Sequence, residues 1–86
     1  MNPIADITKF TGASADDIGV SRFFIAMREK LKQKRIEGRG GWNKPDECSI
    51  DELYSMLADH LNNDNMVDIA NFCMFIWNRE NPEGKP

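Results

Sequence analysis

Twelve consecutive residues, Met66 to Trp77, carry ten apolar side chains and only two polar ones, Asp68 and Asn71. The run is too short to span a membrane, which takes about 18 to 20 apolar residues. Asn62-Asn63-Asp64-Asn65 precedes it and Asn81-Pro82 follows it, a polar turn and a helix stop. The segment therefore predicts a helix over 66–79, capped by Asp64 or Asn65. A helix that is apolar all round has to be covered all round. Two further short helices cannot do that alone in a chain of 86 residues. The expectation is a homo-oligomer, a dimer or higher, with this helix at its centre.

The other helices follow from periodicity and caps. Phe24, Met27, Leu31 and Lys34 share one stripe, which predicts a helix over 20–37 with Ser21 as its N-cap. Gly38 stands where a C-terminal cap glycine belongs, and Lys34 and Arg35 suit the negative end of the helix. Ser49 and Glu52 form a capping box for a second helix over 50–61, with Ile50, Leu53, Met56, Leu57 and Leu61 on its apolar face. Residues 38–47 hold Gly38, Gly40, Gly41, Asn43 and Pro45 and read as a loop. Residues 1–19, with Ile4, Ile7 and Phe10 at helical spacing but Gly12 and Gly19 as interruptions, read as an arm or short helix. The expected fold class is all-α: a single small three-helix domain over 20–81, with a flexible tail at 82–86.

Composition narrows the setting. Charged residues make up 29% and apolar residues 41%, with a net charge of -3, an ordinary soluble mix. Asp6 and the lack of an apolar core near the start argue against a secretory signal. Cys48 and Cys73 lack CxxC spacing and have only His60 to join them, so two free thiols in a cytoplasmic protein are expected. No membrane association is expected. Charge is divided along the chain: eight basic and two acidic residues lie between Arg22 and Lys44, then seven acidic and no Lys or Arg between Asp46 and Asp68. The basic part could meet phosphate, pair with the acidic half, or remain a solvated face.

Three places could hold chemistry. In Arg39-Gly40-Gly41-Trp42 the glycines let backbone approach a ligand, Arg39 could fork a phosphate, and Trp42 could stack on a base. The same residues could equally be a cap and turn with Trp42 plugged into the core. Asp68 and Asn71 lie three apart, on one face of an otherwise apolar helix, and a buried carboxylate or amide has to find a partner. Asp68 could instead serve the helix N-terminus, and Asn71 could be a satisfied core amide. A metal site would draw on Asp59, His60, Asp64 and Asp68, though one His among scattered Asp residues is a weak pattern. Nucleophilic catalysis has no second His and no recognisable elbow to stand on.

Gly40-Gly41-Trp42, the helix with Leu53 and Leu57, and the segment Val67-Asp68-Ile69-Ala70-Asn71-Phe72-Cys73-Met74 together resemble MazG-like proteins, the all-α nucleoside triphosphate pyrophosphohydrolases. The chain also resembles short phage and prophage proteins, and the match covers roughly 24–79. The resemblance implies ExxE and ExxD carboxylates that hold magnesium on a triphosphate. Asp68 matches the Asp of ExxD, its Glu partner would stand at Asn65, and no ExxE occurs in 53–61. The resemblance therefore implies a degenerate scaffold: a non-catalytic phage or prophage accessory protein without a cofactor. It would bind a nucleotide-type ligand, for instance to sequester it, or a host protein. Arg39, Gly40, Gly41, Trp42, Asp68 and Asn71 would line the pocket. One alternative is an active metal-dependent pyrophosphohydrolase using magnesium. The other is a nucleic-acid-binding protein that uses the basic first helix.

Overall fold

The computed structural model describes residues 7–63 and 65–85. Ile4 and Asp64, named above for the arm and the metal set, lie outside them. The described chain is helical: a 3-10 turn Ile7–Lys9, then α1 (Gly12–Ile36), α2 (Ile50–Leu61) and α3 (Met66–Glu80). There are no strands among the described residues.

The first helix begins at Gly12, not at Val20. Ser21 is therefore an interior residue and not a cap. Thr11 takes the N-cap position in extended backbone, without a side-chain bond. Gly19 is carried inside the helix, where one glycine costs about 1 kcal/mol and does not break 25 residues of continuous pairing. The other end matches its signals. Gly38 adopts φ 84, the Gly38 amide donates to Arg35 O at 3.0 Å, and the Arg39 amide donates to Lys34 O at 2.9 Å. That is the paired closure that only a left-handed residue permits.

The shorter helices are capped by side chains. Ser49 Oγ accepts the Glu52 amide at 3.1 Å and donates to the Glu52 carboxylate at 3.2 Å. Glu52 thus reaches the Ser49 hydroxyl, where a full capping box would have it accept the Ser49 amide. Asn65 Oδ1 accepts the Asp68 amide at 3.0 Å. Between the two candidate caps, Asn65 has the role.

Leu53 is fully buried, and Phe75 and Ile76 are 9% and 6% exposed. Leu31, Trp42, Met56, Leu57, Phe72 and Met74 pack around these three and are themselves half-buried. The α1 stripe is only partly used: Leu31 and Met27 are half-buried, whereas Phe24 is 53% exposed and Val20 69%. On α3, Met66, Cys73 and Trp77 stay exposed on one side. The radius of gyration is 15.1 Å, against about 12 Å for a compact domain of this length. One chain leaves uncovered much of the apolar surface that the sequence argument required to be covered.

Two expectations follow. Nothing lies within 4 Å of a Cβ built at Gly19 and its φ is ordinary, so Gly19→Ala should stabilise the fold by about 0.5–1 kcal/mol in thermal unfolding. A lowered melting temperature would mean that α1 does not run through this point. Tyr54 Oη donates to Glu80 Oε2 at 2.8 Å and joins α2 to α3. That bond to a carboxylate raises the Tyr54 pKa above 10.0. The bond is present below the ordinary tyrosine pKa and is lost as pH rises through the raised one. Tyr54 is the single tyrosine. Its ultraviolet titration should move to lower pH in Glu80→Gln and stay where it is if the pair is absent.

Candidate functional site

The loop of residues 37–49 is pinned to α3. Arg79 Nη1 donates to Trp42 O at 2.7 Å and to Cys48 O at 2.8 Å. The Trp42 indole stacks on Phe75, with centroids 4.6 Å apart and planes 13° from parallel. Gly41 adopts φ 88, which a side chain would resist, and a Cβ there would press on Glu47 at 3.4 Å. The GGW segment is thus a built turn, and its tryptophan does pack onto the core. Packing does not remove it from the site, because Trp42 also lines the wall of a cleft.

That cleft has a volume of about 680 Å³ and lies among the C-terminal half of α1, the loop, α2 and α3. Arg39, Gly40, Gly41, Trp42, Asp68 and Asn71 all line it. Residues far apart in sequence, from the loop and from α3, therefore share one cavity. Its floor is apolar, formed by Leu53, Met56, Phe72 and Phe75. Its rim is basic: Lys30, Lys34, Arg35, Arg39 and Lys44 all contribute. Asp68 is the single carboxylate in the lining among the described residues. Lys34, Arg35 and Arg39 make no ion pair among the described residues, while Lys44 pairs with Glu47 at 3.7 Å. The basic segment meets the acidic half only in part, and three cations are left facing an apolar-floored cavity.

Inside, Asp68 lies between Lys30 and His60. Lys30 Nζ is 3.8 Å from Oδ1 and His60 Nε2 is 3.9 Å from Oδ2. Both distances exceed a direct hydrogen bond, so the carboxylate keeps open acceptor positions. His60 Nδ1 lies 2.9 Å from Met56 O. A carbonyl only accepts, so Nδ1 carries a proton and Nε2 is the atom turned to Asp68. The His60 ring leans on Phe72 at 4.7 Å. The sequence singles out His60 only as a candidate metal ligand; its spacing on α2 from Leu53 and Met56 is the signal that it shares their face.

Asn71 is only 4% exposed. Its Nδ2 donates to Met27 O at 3.4 Å, a long bond that joins α3 to α1. Its Oδ1 is buried and has no partner. Leaving a buried acceptor unpaired costs about 1–3 kcal/mol. The satisfied-core-amide reading accounts for one end of this side chain and not for the other.

The described members of the metal set are dispersed. Asp59 is exposed outside the cleft, and Asp64 lies outside the described residues. No group of three or more His, Cys, Asp or Glu among the described residues could hold a metal ion. A hard cation wants several converging oxygens, and the described site offers one carboxylate already faced by an ammonium group. Asn65, which the resemblance would set in place of the ExxD glutamate, serves as a helix cap.

Comparison with protein-family profiles, curated proteins and solved structures finds no match to this chain. No helix among the described residues is long and apolar enough to cross a membrane.

Because one guanidinium nitrogen holds two loop carbonyls, Arg79→Ala should lower stability by about 2 kcal/mol in denaturant unfolding. Arg79→Lys should recover only part of that loss, since an ammonium on a flexible stem reaches one carbonyl less well than a fixed fork reaches two. A loss below about 0.5 kcal/mol, the level of an ordinary surface change, would contradict the grip.

Proposed function

We propose that the protein is a non-catalytic binding protein for a nucleotide-type ligand, which it holds in the cleft between the loop and α3. The observation that carries this reading is a cavity with an apolar floor and a basic rim, with the Asp68 carboxylate and the buried Asn71 amide in its wall. A nucleotide has a planar base for such a floor, polar edges for such a carboxylate and phosphates for such a rim. Arg39 at the rim supplies a planar fork suited to phosphate, and Lys34 and Arg35 add charge beside it. The resemblance to small MazG-like phage proteins supports the same class of ligand. The missing carboxylates favour capture over turnover, so sequestration of a nucleotide is the role put forward, in a phage or prophage accessory protein. The exposed apolar side chains of α1 and α3 favour an assembly of identical chains as the working form.

Thermal unfolding tests this with nucleoside mono-, di- and triphosphates at low and high salt. A nucleotide that binds only the folded state at 100 times its Kd raises stability by about 2.7 kcal/mol. We expect stabilisation that grows with phosphate number, weakens with salt and is reduced in Arg39→Ala, whose side chain is exposed and not needed for packing. If no nucleotide shifts the transition of the folded protein, the reading is wrong, and a protein partner takes its place. Release of pyrophosphate from a triphosphate with magnesium would replace capture with hydrolysis.

A further inference from the structure

We propose that the cleft selects the base of its ligand and that the base is guanine; this rests on the nucleotide reading above and deepens it. Asp68 and Asn71 stand one turn apart on the same face of α3, and both line the cavity. The Asn71 amide is fixed in orientation, because Nδ2 donates to Met27 O and the unpaired atom is therefore Oδ1. That oxygen is closed to solvent, so the open acceptors are the two oxygens of Asp68, one 3.8 Å from Lys30 Nζ and the other 3.9 Å from His60 Nε2. Lys30, against Asp68 at 3.8 Å, is the donor at the edge of this group.

The order is donor, then acceptors. Its complement is an edge with one acceptor followed by two donors. Guanine has that edge: O6 accepts, N1–H donates and the 2-amino group donates. Lys30 would meet O6, and the Asp68 carboxylate would meet N1–H and the 2-amino group. Adenine presents the bare N1 lone pair where an N–H is required. Cytosine places two acceptors beside its amine, and uracil flanks its N–H with two carbonyls. Each of these sets a lone pair against a carboxylate oxygen, and that repulsion is what discriminates.

The test compares GDP, IDP, ADP and XDP on the full chain by equilibrium dialysis in EDTA, so that no hydrolysis intrudes. GDP should bind about 10- to 100-fold more tightly than ADP, the span of one well-made bidentate contact. IDP, which lacks the 2-amino group, should fall between them. Asp68→Asn should lose GDP and gain XDP, since an amide donor then meets the 2-carbonyl of xanthine; a purely structural Asp68 would lose both. Equal affinity for the four diphosphates, or preference for ADP, overturns guanine selection and leaves nucleotide binding standing. No binding of any of the four overturns both. Should Asp68→Asn fail to fold, the unmodified protein with the four ligands decides the matter.

Discussion

A single guanidinium group determines the shape of the cleft. Arg79, in the last turn of α3, holds the carbonyls of Trp42 and Cys48 together. Those carbonyls belong to opposite ends of the loop's second half, so the grip closes that half upon itself. It also sets Trp42 over Phe75, and Phe75 is one of three buried apolar residues. The loop thereby becomes part of the core, and its glycines are brought over the face of α3 that carries Asp68 and Asn71. A charged group with two carbonyl acceptors is well matched to this task, because each bond is charge-assisted and the rigid planar guanidinium fixes the direction of both Nη1 N–H bonds.

The same packing explains the electrostatics. An 86-residue chain with a net charge of -3 presents a basic cavity because the C-terminal end of α1 and the loop collect its cations on one side. The acidic residues of α2 face outward, and among the described residues of the lining only Asp68 opposes the basic rim. Long cationic side chains at a rim steer anions and cost little, since their heads remain in water. The buried end of the site is different in kind. An amide whose oxygen has no partner is a standing cost to the fold.

Much of this was legible in the residues. The α2 and α3 boundaries, the Gly38 closure and the Ser49 and Asn65 caps all follow from local chemistry that acts within four or five residues. Local signals misled at the start of α1, where Gly12 and Gly19 read as breaks and helical pairing carried on across Gly19. They also left open whether Trp42 belongs to the core or to a site, and the structure gives it one face for each. The cavity itself depends on contacts such as Arg79 to Trp42 and Asn71 to Met27, between residues 37 and 44 positions apart. No periodicity encodes such pairs. Asp68 and Asn71 could be singled out because polar residues in an apolar helix are rare; that Asn71 would be satisfied at one end only could not be read from spacing.

Amide chemical shifts test most directly the proposal that a nucleotide binds between the loop and α3. In proton–nitrogen correlation spectra titrated with GDP, shifts should concentrate at Arg39, Gly40, Gly41, Trp42 and along Asp68 to Phe72, with the Asn71 side-chain amide among the largest. The outward face of α2 at Asp51 and Ser55 should stay still. Shifts confined to the exposed apolar half of α1, at Val20 to Ile25, or no shifts at all, would contradict it.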